Sequence, residues 1–179
     1  MAKKLTLAIF ILFNQLCYAQ LRINSSAKAT PLSSEDSSRI TELFFAGLKE
    51  KMAGNFDKSD VFYKQILAID PTNDATMFEL ANSFHAQNQD EEAERIILGA
   101  INLKPANEWY WVLLADIYEK TNNLPELLRV CDELIKITPK KDDYYFDKGN
   151  VLFEMNKMDE ALAVYDLIEK KHGQSKDLI

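Results

Sequence analysis

Apolar residues along the chain recur three and four apart, as on one face of a helix, and the runs break at regular places. In "LAIDPTNDATMFELANSF" (67–84) an apolar stretch halts at Asp70-Pro71 and a second begins a few residues on. The same joint returns at Pro105 and Pro139, each 34 residues after the last. Other series share that period. Small residues stand at Gly47, Ala81, Ala115 and Gly149, and turn formers at Gly54, Asn88, Asn122 and Asn156. Large apolar residues stand at Leu43, Met77, Trp111 and Tyr145, and a mostly small series at Ser59, Ala93, Leu127 and Ala161. A small residue on each of two helices lets them approach closely. Gly or Asn can adopt the left-handed conformation that ends a helix, and proline stops one helix and sets the approach to the next. Pro125 falls at a helix start, where its missing N–H costs nothing. The pattern predicts eight helices, two per period, with breaks near Gly54, Pro71, Asn88, Pro105, Asn122, Pro139 and Asn156. Contacts should join neighbouring repeats only.

A helix–turn–helix period of 34 residues resembles the tetratricopeptide repeat. "LFFAGLKEKMAGNFDKSDVFYKQILAIDP" (43–71) and "MFELANSFHAQNQDEEAERIILGAINLKP" (77–105) each follow the family pattern. So do "WVLLADIYEKTNNLPELLRVCDELIKITP" (111–139) and "YFDKGNVLFEMNKMDEALAVYDLIEKKHG" (145–173). The fourth ends in Gly173 where the others have proline, and places Lys148 where Leu80 and Leu114 stand. The resemblance implies an all-α, right-handed solenoid of four repeats, about 40–73, 74–107, 108–141 and 142–173, within a domain spanning 34–173. It also implies that the first helix of each repeat lines a concave groove. On that reading Phe44, Leu48, Phe78, Asn82, His85, Trp109, Val112, Asp116, Phe146 and Asn150 face the groove. The aromatic residues would anchor a peptide or protein partner, and Asn82 and Asn150 would bond its backbone. The chaperone-tail clamp of the family needs groove Lys and Arg. Asn82 fits it, but Phe44, Val112 and Asp116 supply no positive charge.

The N-terminus reads differently. "MAKK" is basic, "LTLAIFILF" (5–13) is apolar, and "CYA" (17–19) has small residues at its first and third places. That is a secretory signal peptide with cleavage expected after Ala19. The apolar run is well short of the ~18 residues that a membrane span needs. A lipid-anchored Cys17 would want a small residue before it, and Leu16 is there. The "YAQ" junction resembles signal peptides of Bacteroidota, which points to a periplasmic or envelope setting. "NSS" (24–26) is a glycosylation sequon only in a eukaryotic source. Residues 20–33 read as a flexible leader, with Ser33 or Ser34 placed to cap the first helix.

Charge and chemistry narrow the function. The chain carries a formal charge of −7, and removing Lys3 and Lys4 with residues 1–19 gives −7 − 2 = −9. Such a surface disfavours nucleic acid and anionic lipid. Cys131 alone remains after cleavage and is expected as a buried, inert thiol. His85 and His172 read as separate surface histidines, and the acids of 90–94 as a solvated helix start. No metal spacing, phosphate loop or nucleophile motif occurs, so no cofactor, metal or catalytic residue is expected. The expected function is a non-catalytic scaffold binding a partner in the groove. One alternative is a piece of a longer array, or a self-associating subunit, using an open C-terminal face at Ala161, Val164, Tyr165 and Ile168. In that case 174–179 begin a further repeat or form a tail. The other is an accessory protein holding a small ligand in the groove.

Overall fold

A computed structural model describes residues 31–176, with side chains through 170. The signal peptide expected at 1–19, and all of the expected leader except 31–33, lie outside the described residues. The helical unit begins at Ser34. Eight helices follow: α1 (Ser34–Met52), α2 (Phe56–Ile69), α3 (Asp74–Ala86), α4 (Asp90–Leu103), α5 (Glu108–Lys120), α6 (Leu124–Ile137), α7 (Asp143–Glu154) and α8 (Met158–Lys176). No strand occurs among the described residues. Each helix packs on its neighbours in sequence, and α3 also touches α5. The result is an α-solenoid of four helical pairs, in which the first helices of the second and third pairs also meet.

The turns within each pair are built alike. Gly54, Asn88, Asn122 and Asn156 have φ of 77°, 61°, 54° and 59°. In the second pair the Asn88 N–H donates to the His85 carbonyl (3.0 Å) and the Gln89 N–H to that of Phe84 (2.9 Å). Those two bonds satisfy carbonyls that the helix end leaves free. Glu50, Tyr118 and Leu152 accept the corresponding bonds in the other three turns. Between pairs the chain leaves the helix at Asp70, Lys104 and Thr138, where ψ turns to 91°, 75° and 68°, one residue before each proline. The Asn73 side chain then caps α3 by accepting from Thr76 N–H (3.0 Å), and Asn107 caps α5 from Trp109 N–H (3.2 Å).

The small-residue series has a sharper logic than general closeness. A Cβ on Gly47 would lie 2.7 Å from Tyr63 Cε1, and one on Gly149 would lie 2.4 Å from Tyr165 Cε1. At the same registers the second and third pairs combine Ala81 with Ile97 and Ala115 with Cys131. The first and last pairs therefore match glycine to a tyrosine ring, and the middle pairs match alanine to a smaller side chain. One continuous apolar core runs from Tyr63 to Val151, and Leu152, Ala161 and Val164 form a second cluster with Leu128, Tyr145 and Tyr165 around it.

Three expectations change. Gly173 does not end the last helix, which continues through it to Lys176. Lys148 does not disturb its apolar register, because its ammonium reaches Asp132 on α6 at 2.7 Å while its stem stays half-buried. His85 and Asp90 are not separate surface groups. His85 Nδ1 lies 2.6 Å from Asp90 Oδ1, and the Asp90 side chain is only 14% exposed.

Candidate binding groove

The inner strip is carried by α1, α3, α5 and α7 at a repeating register: Phe44 and Leu48, Phe78 and Asn82, Val112 and Asp116, Phe146 and Asn150. The structure treats these positions unequally. Phe44 is half-buried with its ring centroid 6.0 Å from that of Tyr63, and Leu48 is half-buried. Phe78 packs against Tyr110 of the next repeat at 5.3 Å. Asn82 turns its Nδ2 back to the Phe78 carbonyl at 3.1 Å, so that donor is engaged within its own helix. Trp109 and Phe146 are open, at 65% and 47% exposure, and Phe146 lies 6.3 Å from the Tyr165 ring.

Val112, Asp116 and Asn150 are brought together. They line one cavity of about 260 Å³ between α5, α6 and α7. Buried apolar side chains, Leu127, Leu134 and Val151 among them, form its floor. Phe44, Leu48, Phe78, Asn82, His85, Trp109 and Phe146 lie outside it. Reading the inner strip alone misses Glu119, Asp147 and Glu154, which also line the cavity. Glu119 was reachable in principle, since it continues the strip one turn beyond Asp116. Glu154 likewise continues it one turn beyond Asn150, whereas Asp147 stands off the strip and only the packed helices bring it to the cavity.

Two of the carboxyls at the cavity are pushed up. Asp116 is pushed above the ordinary aspartate range by burial among protein atoms, with Glu119 adding to the rise and His85 opposing it. Asp147 is raised by burial, then by Asp143 and Glu119, against Lys141. No group lining the cavity is cationic. Cys131 also lines it, and burial pushes this thiol up to about 12, the behaviour of an inert side chain.

Several acids elsewhere are paired with cations or hydroxyls of this chain. At Asp90, burial would raise the carboxyl, but hydrogen bonds from Lys120 and His85 outweigh it and the group sits below its usual value. Lys120 Nζ lies 3.0 Å from Asp90 Oδ2 and ties the third repeat to the second. Asp74 is likewise lowered despite burial, by the Tyr110 hydroxyl and by Lys104 at 3.0 Å. Glu108 is lowered by hydrogen bonds from the Tyr144 hydroxyl and Lys141. The tyrosine-to-acid bond thus recurs at successive joints, Tyr110 to Asp74 and Tyr144 to Glu108. Among the described residues no cluster of His, Cys, Asp and Glu has the geometry to hold a metal ion. No described helix is long and apolar enough to cross a membrane.

Comparison with known proteins accords with this geometry. Models of the tetratricopeptide repeat match residues 52–117 and 142–168, together more than half of the chain. No curated protein matches at the level of sequence. Among solved structures, a crystal structure of MamA superposes with a TM-score of 0.66 at 17% identity, covering 76% of this chain and 81% of that one. MamA of Desulfovibrio magneticus RS-1 gives 0.63 at 12%, covering 75% and 76%. The first tetratricopeptide domain of Spaghetti (RPAP3), bound to an HSP90 peptide, gives 0.56 at 20%, covering 71% of this chain and 95% of that one. At such identities the likeness is one of fold. The period, the turns and the helical pairing agree with the matched models, and the chain belongs to the tetratricopeptide-repeat proteins.

Proposed function

We propose that the protein is a non-catalytic scaffold of the bacterial cell envelope that holds a segment of a partner protein in its concave groove. The observation that carries this reading is the inner face of the third and fourth repeats. There a cavity with an apolar floor lies between α5, α6 and α7, and α5 and α7 also carry Trp109 and Phe146, two aromatic side chains that the array leaves exposed. Exposed aromatic groups beside a concavity are the usual anchors of a peptide groove. The similar fold of the RPAP3 domain, which binds a peptide, supports the same use of the surface. The envelope setting rests on residues 1–19 and their signal-peptide pattern.

The test is capture from an envelope fraction by the mature chain, with Trp109→Ala/Phe146→Ala alongside. Recovery of a specific partner should fall at least about tenfold in the variant. Equal recovery by a variant with an unchanged circular dichroism spectrum refutes the groove. A mature N-terminus other than Gln20 refutes the cleavage site.

Ala161, Val164 and Ile168, expected on an open face, are buried and Tyr165 is half-buried, so that face is packed against its own repeat. A second reading, self-association or continuation of the array through α8, is favoured instead by Leu162 and Leu167. These two leucines of the last helix are 61% and 57% exposed. Light scattering decides it: a strict monomer at all concentrations removes its support.

A further inference from the structure

We propose that the cavity between α5, α6 and α7 seats a cationic side chain, lysine or arginine, borne on an otherwise apolar segment of the partner protein. This rests on the groove reading above and adds the chemistry of the guest.

Two observations carry it together. The first is the build of the cavity. Its floor is apolar and its rim holds four acids, Asp116, Glu119, Asp147 and Glu154, drawn from two helices. An aliphatic stem laid on that floor would bring its charged head to the rim, the arrangement in which Lys and Arg bury their methylenes while keeping the charge accessible.

The second is the contrast with the rest of the array. Asp74, Asp90, Glu108, Asp132 and Glu79 each have a lysine partner from this chain. Among the described residues the four rim acids have no ion-pair partner and no side-chain hydrogen bond. The cations that act on Asp116 and Asp147 are themselves engaged elsewhere, His85 with Asp90 and Lys141 with Glu108 and Tyr144. Asp116 and Asp147 are raised first by burial and then by neighbouring acids, an effect that His85 and Lys141 offset only in part. A guest cation supplies the missing partner, and net charge adds long-range attraction, since the chain stands at −7. A bare metal ion suits the site less well, because the acids ring an apolar floor and do not converge as ligands.

The experiment uses the mature chain and fluorescein-labelled peptides of alternating Leu-Arg, Leu-Glu and Ser-Arg, followed by polarisation. Leu-Arg should bind at least about tenfold more tightly than either other peptide. Asp116→Asn/Asp147→Asn should weaken Leu-Arg at least about tenfold, and Glu91→Gln/Glu169→Gln, which removes equal charge elsewhere, by less than about twofold. Equal losses in the two variants, or Ser-Arg binding as tightly as Leu-Arg, would overturn the proposal in favour of net charge. Displacement of Leu-Arg by Ca2+ at constant ionic strength would overturn it in favour of a metal site. Preference for Leu-Glu, lost in Trp109→Ala/Phe146→Ala, would overturn the cationic guest but leave the groove standing. Binding of none of the three refutes both.

Discussion

Replacing Gly47 with alanine sets two effects of known size against each other. In an exposed helix this change stabilises by about 1 kcal/mol, because glycine loses more backbone freedom on folding. Here the new Cβ would lie 2.7 Å from Tyr63 Cε1, 3.1 Å from Cδ1 and 3.2 Å from Cζ. Ordinary contact begins at 3.4 Å, so the ring must retreat by 3.4 − 2.7 = 0.7 Å. Tyr63 has no room, being fully buried beneath α1 with Phe44 against it. Overpacking of this kind costs about 1–3 kcal/mol. The balance is a net loss centred near 1 kcal/mol, a fall in Tm of about 2–4 °C for a domain of this size. Gly99→Ala is the internal control. Its Cβ would meet only the flexible Met77 Sδ, at 3.4 Å, so it should stabilise by about 0.5–1 kcal/mol. Urea melts followed by circular dichroism measure both. Adding Tyr63→Ile, which copies the Ala81 and Ile97 pairing of the second repeat, should recover at least about 1 kcal/mol in a double-mutant cycle. If Gly47→Ala stabilises as much as Gly99→Ala, or shows no coupling to residue 63, then ring size does not set the glycine positions.

Two further outcomes follow from the electrostatics and the turns. Asp74, Asp90 and Glu108 have lowered folded-state values, so their stabilisation is present above the unfolded carboxylate range of about 4 and is lost as pH falls through the folded values. Lys120→Met should therefore lower the urea midpoint at pH 7 and matter progressively less below about pH 4. Asp116 and Asp147 have raised values and act with the opposite sign: their ionisation costs stability above the folded value. Asp116→Asn/Asp147→Asn should raise the midpoint at pH 7, and the gain should vanish in acid. At the turns, Asn122→Ala should cost about 1–2 kcal/mol and Asn122→Gly close to nothing, because φ there is 54°. Equal midpoints for the two variants would show that the left-handed turn is not what residue 122 supplies.

The repeat and its turns were legible because they depend on neighbours in sequence. Pro71, Pro105 and Pro139 mark joints through local backbone restriction, and Asn88, Asn122 and Asn156 take the left-handed conformation that their residue type allows. Positions that depend on the next repeat were not legible. Phe78 carries the same pattern whether it faces a ligand or Tyr110, and only the stacked array shows the latter. The acids of 90–94 look like a solvated helix start until Lys120, 30 residues on, is seen to reach Asp90. The groove strip was half legible. Val112, Asp116 and Asn150 do converge, yet Asp147, which completes the ring of acids at their cavity, sits off the strip.

The glycine–tyrosine match and the tyrosine–acid bond differ in reach, and this bears on how such a chain could grow. Gly47 and Tyr63, like Gly149 and Tyr165, belong to one helical pair, so copying a pair copies its fit intact. The hydroxyl bonds cross a joint: Tyr110 needs an acid one repeat back, and Tyr144 needs Glu108. The third repeat carries both halves of that joint, Glu108 as acceptor and Tyr110 as donor, whereas the second has Asp74 but Thr76 at the tyrosine position. A tandem duplication of the third repeat would thus arrive with its own seam already complementary to itself. One of the second would meet its twin with a threonine too short to span the gap.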